Sequence, residues 1–174
     1  MPVLHVIAGP NGAGKSAYYE YVLQARYPSL PFVPSQDADE RERLLQARES
    51  FVTETVMSHP SRLALLTHAR TLGYQVVLHA LAVDDPRVLL QRVAQRVREG
   101  GAPVPSHKVL QRYPRSLANL RRAVPLADLS FLVDSAEAYQ GGPRLIASCA
   151  GGRFKLHTVL RPRWVDKVLG FAEG

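Results

Sequence analysis

The sequence predicts an α/β fold in which a mainly parallel sheet is covered by helices on both faces. Short apolar runs typical of buried strands, such as VLHVIA at Val3–Ala8 and QVVLHALAV at residues 75–83, alternate with segments of helical periodicity. This alternation is characteristic of parallel sheets whose strands are connected by helices. The chain has 174 residues and neither an internal repeat nor a linker-like segment, so we expect a single domain over residues 1–174.

The other elements are predicted from the same patterns and from Gly and Pro punctuation. Further strands are expected at residues 51–57 and 129–133, an extended stretch at 28–34, and a C-terminal β-hairpin over 144–160 that turns at Gly151-Gly152. Helices are expected up to about Arg26, over 39–48, over 60–72, from Pro86 to Glu99 after the N-cap Asp85, over 106–122, and at the C-terminus around Trp164.

The predicted helix at 106–122 has an apolar and a basic stripe. The apolar stripe consists of Leu110, Tyr113, Leu117 and Leu120. The basic stripe on the opposite side consists of Lys108, Arg112, Arg115 and Arg122. Pro114 lies inside this helix and predicts either a kink or a restart of the helix at that point.

Charge and composition narrow the classes of function. The chain carries 22 Lys and Arg against 15 Asp and Glu, a net charge of +7. Few aromatic residues lie among the arginines of residues 87–122, so we consider nucleic-acid binding unlikely and favour phosphate binding in an active site. No apolar stretch approaches the roughly 20 residues needed to cross a membrane. A single cysteine, Cys149, suits the reducing cytoplasm, where we expect the protein.

The strongest motif is GPNGAGKS, which matches the phosphate-binding pattern G-x-x-x-x-G-K-[ST] between a strand and a helix. We call these residues the phosphate loop: Gly9, Pro10, Asn11, Gly12, Ala13, Gly14, Lys15 and Ser16. The glycines let backbone N–H groups surround phosphates, Lys15 supplies positive charge to the β- and γ-phosphates, and the Ser16 hydroxyl suits Mg²⁺. The motif therefore predicts binding of ATP and Mg²⁺ and a P-loop NTPase-type three-layer sandwich.

Phosphoryl transfer to a hydroxyl also requires a carboxylate near that hydroxyl. Asp37 and Asp39 follow a short strand, and Glu54 is the one acid of the strand at 51–57, where Thr55 follows it. Either group could supply the catalytic carboxylate. Asp84, at the end of an apolar strand, is a weaker candidate for the metal site, and a structural role at the start of a helix is favoured for it.

Arginines on the two helices that flank Gly100-Gly101 complete the expected site. Arg92 and Arg96 share one face of the first helix, with Arg98 offset from them. The glycine break between the helices suits a helical lid that closes over the nucleotide and brings arginines to the transferred phosphoryl group.

Four segments carry a resemblance to a known family: VIAGPNGAGKS, ARESFVTETVMS, RVAQRVREGGAPVP and QRYPRSLANL. They resemble the zeta-toxin family, which is similar to UDP-N-acetylglucosamine kinases on a P-loop fold. The segment LADLSFLVDSA and the C-terminal hairpin fit as well, so the resemblance covers nearly the whole chain. One departure is the segment DERERLLQARES, which stands where the family has a longer helical segment.

The resemblance implies roles for particular residues. Lys15 and Ser16 would serve ATP·Mg²⁺, and Glu54 with Thr55 would bind the substrate. The catalytic aspartate would be Asp39 or Asp37. The arginines that stabilise the phosphoryl group would be Arg98 or Arg96, together with Arg112 or Arg115.

The family further implies a kinase that phosphorylates a hydroxyl of a nucleotide sugar such as UDP-N-acetylglucosamine, with an antitoxin as protein partner. Two alternatives remain at this point. One is a P-loop kinase for another small metabolite, since kinases with a lid accept many alcohols. The other is a basic, nucleotide-dependent binding module whose catalysis is vestigial, for which a steep salt dependence of nucleic-acid binding would be characteristic.

Overall fold

The computed structural model describes residues 1–136 and 142–171, and the strands in this part of the chain form one sheet. The strands are Val3–Ala8 (β1), Phe32–Val33 (β2), Phe51–Thr55 (β3), Gln75–Ala82 (β4), Leu129–Asp134 (β5), Arg144–Ala150 (β6) and Arg153–Leu156 (β7). Their order is β2-β3-β1-β4-β5-β6-β7. The first five strands are parallel, and β6 and β7 continue the sheet as an antiparallel hairpin.

Helices connect the parallel strands, and a last helix follows the hairpin. They are Lys15–Tyr18 (α1), Gln24–Arg26 (α2), Ala38–Ala47 (α3), Leu63–Thr71 (α4), Pro86–Arg98 (α5), Ser106–Ala123 (α6) and Arg163–Leu169 (α7). A π-helical turn, Tyr19–Leu23, joins α1 to α2, and a 3₁₀ turn, Pro60–Arg62, leads into α4. Of the helices described, none is both long and apolar enough to span a bilayer.

The predicted three-layer arrangement is confirmed. Helices α3, α4, α6 and α7 contribute apolar side chains to the core on one face of the sheet, where Trp164 of α7 is the largest fully buried side chain. The core on the other face contains Tyr18 of α1 and Leu89 and Val93 of α5. Both faces of the central strands are therefore covered, which explains why their sequences are continuously apolar rather than alternating.

The path of α6 differs from its sequence prediction in two respects. The helix continues through Pro114 without restarting, and Leu110 is exposed instead of lying on the buried face. The buried face instead carries two polar residues, Ser116 and Asn119, which donate hydrogen bonds to the carbonyls of Val56 and Met57 at 2.7 and 2.9 Å. An apolar pattern finds Leu117 and Leu120 on this face but misses Ser116 and Asn119, because both are polar.

The C-terminal hairpin and its turn are confirmed, although its second strand ends at Leu156 rather than near residue 160. Strands β6 and β7 are joined at Gly151-Gly152, where both glycines have positive φ angles of 57° and 78°. Such angles are readily adopted only by glycine, so the two-residue turn follows directly from the sequence.

A polar network is buried on the face of the sheet that α1 covers. The Nδ1 atom of His5 on β1 lies 3.0 Å from Nε2 of His79 on β4, and the Tyr18 hydroxyl lies 2.8 Å from Nδ1 of His79. Burial lowers the pKa of His5 to about 4. Burial, followed by the neighbouring His5, lowers the pKa of His79 to about 3. Both imidazoles are therefore neutral near pH 7 and tie α1 to the two central strands.

This network should make the protein sensitive to acid. Histidines of the unfolded chain take up protons below about pH 6.5, whereas the buried pair resists protonation until about pH 4, so the free energy of unfolding should fall as the pH drops through this window. We expect the melting temperature of wild type to fall between about pH 7 and about pH 5, and to fall less in His79→Gln. The exposed His107 provides the control, since His107→Gln should retain the wild-type pH dependence. An unchanged dependence in His79→Gln would contradict this interpretation.

Candidate active site

The phosphate loop connects the end of β1 to α1, and its glycines are required by its surroundings. A Cβ atom on Gly9 would collide with the backbone carbonyl of Leu81 on the neighbouring strand. Gly12 and Gly14 have φ angles of 83° and 89°. The N–H of Gly9 donates a 3.1 Å hydrogen bond to the Thr55 carbonyl at the end of β3. The loop is thus held between the ends of β3 and β4, the two strands that flank β1.

Lys15 lies at the centre of the site. Its Nζ atom donates hydrogen bonds to the carbonyls of Gly9 at 2.8 Å and Pro10 at 3.1 Å. Burial lowers its pKa to about 8, while the Glu54 carboxylate acts to raise that pKa and the Arg96 guanidinium acts to lower it. The pKa of Lys15 is therefore affected by two predicted site residues, the acidic Glu54 on β3 and the basic Arg96 on α5.

A cleft of about 820 Å³ opens in front of the phosphate loop. We call it the nucleotide cleft because the phosphate loop lines it, and its volume lies within the range of small-molecule binding sites. Helix α5 contributes Arg96 and Arg98 to its lining, and Ser16 of the phosphate loop also lines it. The Arg98 guanidinium donates to Oε1 of Gln95 within α5. Gly12 and Gly14 of the loop, Lys15, Ser16 and the two arginines thus line one cleft.

Arg92 on α5 contributes to this cleft in a way that the sequence did not reveal. Its guanidinium donates to the Gly12 carbonyl at 3.3 Å and to both the hydroxyl and the carbonyl of Ser135, which follows β5. The sequence placed Arg92 on the same helix face as Arg96, but no pattern indicated that it would link the phosphate loop to β5.

A second pair of clefts lies beside the phosphate loop, at the carboxyl end of β3. The larger, of about 320 Å³, is lined by Glu54 and Thr55 together with Ser35, Arg41 and Arg62. The smaller, of about 220 Å³, shares Ser35, Thr55 and Arg62 with it. We call the two together the acceptor cleft. Ser35, Arg41 and Arg62 belong to no motif, and only the folding of β2, α3 and α4 around β3 brings them here.

Arg112 stands between the acceptor cleft and the phosphate loop. It lines the smaller part of the acceptor cleft, and its Nη1 atom lies 3.3 Å from Oδ1 of Asn11 in the loop. The following residue, Tyr113, donates its hydroxyl to the carbonyls of Val83 and Asp84 at 2.6 and 3.2 Å. These bonds hold this part of α6 against the end of β4, so Arg112 is presented from a fixed helix.

Three other predicted site residues lie elsewhere. Asp37 is the N-cap of α3, where its carboxylate accepts a 3.1 Å hydrogen bond from the Glu40 N–H. Asp39 is exposed in the first turn of the same helix, and Arg115 is exposed on α6. None of the three lines the nucleotide cleft or the acceptor cleft.

Asp84 has a structural role that differs from both of those considered from the sequence. Its carboxylate accepts hydrogen bonds from the N–H groups of Arg163 and Trp164, at 2.9 and 2.8 Å. It thereby caps the N-terminus of α7. The neighbouring Asp85 caps α5 by accepting from the Arg87 N–H, as predicted.

The residues present suit a Mg²⁺ ion that arrives with ATP better than a site built wholly from protein. Within the described residues there is no group of three or more His, Cys, Asp or Glu that could hold a metal. Mg²⁺ commonly keeps several waters and is held by one or two protein oxygens plus substrate phosphates. Ser16, which is exposed and lines the nucleotide cleft, would supply such an oxygen.

Comparisons with known proteins give a match in structure but none in sequence. No family model and no curated protein matches the sequence. A chain of the AvrRxo1-ORF1:AvrRxo1-ORF2 complex with sulphate ions matches with a TM-score of 0.70 and 18% identity, over 97% of this chain and 63% of that chain. The same complex with ATP gives a TM-score of 0.68 at 18% identity, over 90% and 61%.

A further match comes from the PezAT chromosomal toxin–antitoxin system of Streptococcus pneumoniae, with a TM-score of 0.56 and 12% identity over 77% of this chain and 68% of that one. The chain has a zeta-toxin-like P-loop fold. It spans about three fifths of the length of the AvrRxo1 chains that it matches. At these identities the likeness concerns the fold, so the chemistry must be argued from the residues of the clefts.

The lowered pKa of Lys15 leads to a prediction about nucleotide binding. Phosphates next to the ammonium should favour its charged form and raise its pKa. Above about pH 8, where free Lys15 is partly neutral, binding of ATP should therefore take up protons and weaken as the pH rises. Calorimetry at about pH 8.5 in two buffers of different ionisation enthalpy measures this uptake.

Lys15→Arg is the matched control, because arginine remains charged throughout this range. It should bind ATP with little or no proton uptake. Equal uptake by wild type and Lys15→Arg would contradict the assignment to Lys15.

Proposed function

We propose that the protein is an ATP-dependent kinase of the zeta-toxin type, which transfers the γ-phosphoryl group to a hydroxyl of a small molecule. As acceptor we propose a nucleotide sugar such as UDP-N-acetylglucosamine. The observation that carries the proposal is the position of Glu54, which lines the acceptor cleft and also acts on the ammonium of Lys15. A carboxylate that faces a second cleft beside the phosphate loop suits a kinase, which must hold an acceptor there.

In the proposed reaction, the acceptor oxygen attacks the γ-phosphorus while the bond from that phosphorus to the β,γ-bridging oxygen breaks, and ADP leaves. The hydroxyl proton passes to a carboxylate. Lys15 neutralises the β- and γ-phosphates, and Mg²⁺ held at Ser16 would supply further charge neutralisation. Arg112, which lies between the loop and the acceptor cleft, would stabilise the transferred group, and Arg96 or Arg98 would do so from the nucleotide cleft.

For the carboxylate, the geometry favours Glu54, whose substrate-binding role would then include orienting the hydroxyl and accepting its proton. Asp37 and Asp39 remain the alternative bases expected from the sequence. Since Asp37 caps α3, its carboxylate is already engaged by the Glu40 N–H.

Mass spectrometry of nucleotide sugars incubated with the protein and ATP·Mg²⁺ tests the proposed activity. We expect one acceptor class to gain a phosphoryl group in step with ADP formation. If the phosphorylated product were instead a sugar without a nucleotide, the kinase assignment would stand and the proposed acceptor would be wrong. ATP binding without any product, joined to a steep salt dependence of nucleic-acid binding, would favour a binding module instead.

Substitution of the three carboxylates separates their roles. Glu54→Gln should lower kcat by roughly 10²- to 10⁴-fold, the range typical of general acid–base groups, and change the KM for ATP little. Asp37→Asn is informative because the asparagine oxygen can still cap α3, so that only the charge is lost. We expect Asp37→Asn and Asp39→Asn to remain active. If kcat fell in only one of the two aspartate variants and not in Glu54→Gln, that aspartate would be the catalytic base instead of Glu54.

We further propose a protein antitoxin as partner, which would occlude the nucleotide cleft. Two observations support it: the structural likeness to a toxin–antitoxin system and the net charge of +7, which suits an acidic partner. Such a partner would compete with ATP, so the affinity for ATP should fall when it is added.

A further inference from the structure

The strand β7 forms one edge of the sheet, and its outer side pairs with no other described strand. The His157 N–H, directly after β7, donates to the Ile146 carbonyl at 2.8 Å, so these two residues form a hydrogen-bonded pair of the β6–β7 ladder. Hydrogen-bonded and non-bonded pairs alternate along antiparallel strands. The backbone of Lys155 therefore also bonds to β6, whereas the N–H and C=O groups of Phe154 and Leu156 point to the free edge.

Exposed apolar side chains are concentrated at the same edge. Of the ten large apolar side chains that are exposed among the described residues, five lie within residues 144–160: Leu145, Phe154, Leu156, Val159 and Leu160. Phe154 is 50% exposed although its ring packs on Phe171, and Val159 and Leu160, just beyond β7, are 95% and 87% exposed. Water can satisfy the backbone groups of an edge strand but gives no such compensation to apolar side chains, so this edge has the character of a binding surface.

The two faces of β7 differ in chemistry. Phe154 pairs with Cys149, which belongs to the core on the α7 side of the sheet, so Phe154 and Leu156 lie on that face. Arg153 and Lys155 alternate with them and lie on the other face. The core on that other face contains no residue of β6 or β7, and both cations are exposed. A neighbouring strand would thus meet apolar side chains on one face and positive charge on the other.

This alternation determines which kind of strand fits the edge. Between neighbouring strands, apolar pairs and pairs of opposite charge are favourable, whereas like charges directly opposite each other are unfavourable. A fitting strand therefore alternates apolar residues, beside Phe154 and Leu156, with acidic residues, beside Arg153 and Lys155. A second copy of this chain fits poorly. Pairing β7 with itself in a continuous sheet would place Lys155 opposite either Arg153 or another Lys155.

We propose that β7 is a docking edge for a partner protein, which adds an extended segment of alternating acidic and apolar residues to the sheet as a further strand. The backbone groups of Phe154 and Leu156 bind the segment, and Arg153 and Lys155 select its acidic residues. None of these four residues lines the nucleotide cleft or the acceptor cleft, so binding at this edge does not depend on the proposed kinase function.

Amide hydrogen exchange of a tethered peptide fusion tests the proposal. A peptide of repeated Glu-Val is joined after Gly174 through a flexible Gly/Ser linker of about 12 residues, which gives an effective concentration on the millimolar scale. The linker starts close to β7, because Phe171 packs on Phe154. Relative to the same fusion with Lys in place of Glu, we expect the Phe154 and Leu156 amides to exchange about tenfold or more slowly. The Lys155 amide, which already bonds to β6, should change less.

The variant Lys155→Glu should lose most of this protection, because the peptide's acidic residues would then face a like charge. Lys108→Glu is the matched control, since it reverses the charge of another exposed lysine, on α6, and should keep the protection. Equal exchange in the Glu and Lys fusions, or unchanged protection in Lys155→Glu, would overturn the proposal. Protection of Phe154 and Leu156 that grows with the concentration of the untethered protein would also overturn it, and would identify a second copy as the occupant.

Discussion

The site depends on one constraint, the partial burial of Lys15 in the loop that follows β1. Because β1 lies between β3 and β4, this loop is enclosed by the ends of both strands, and only glycine fits at Gly9 against Leu81. A cation held there loses hydration, which is the main reason for its lowered pKa. The surrounding charges act on Lys15. Glu54 favours its charged form, and the phosphates of ATP would favour that form more.

The second constraint is the attachment of α6. Hydrogen bonds from Tyr113, Ser116 and Asn119 join this helix to the ends of β4 and β3. The basic residues of the predicted lid therefore fall into two groups. Arg112 belongs to the fixed part, whereas Arg96 and Arg98 lie near the exposed segment 99–105.

Local patterns predicted most of the fold, since the long strands and helices lie within about two residues of their predicted bounds. The sequence-based predictions failed for residues whose contacts are made to other elements of the fold. Asp84 caps a helix that begins 79 residues later, and Arg62 reaches the acceptor cleft from the 3₁₀ turn before α4, where it lies with Ser35 and Arg41 of earlier elements. Asp37 is different, because an aspartate three residues before Glu40 is a local N-cap signal that could have been recognised.

The most direct measurement of the central claim is the rate of ADP formation with and without a mixture of hydroxyl acceptors, for wild type and Lys15→Ala. Removal of the ammonium should spare the fold, because its hydrogen bonds are made only to loop carbonyls. The account predicts ADP formation that requires both an acceptor and Lys15. ADP formation by wild type at the same rate without acceptor, or undiminished formation by folded Lys15→Ala, would contradict it.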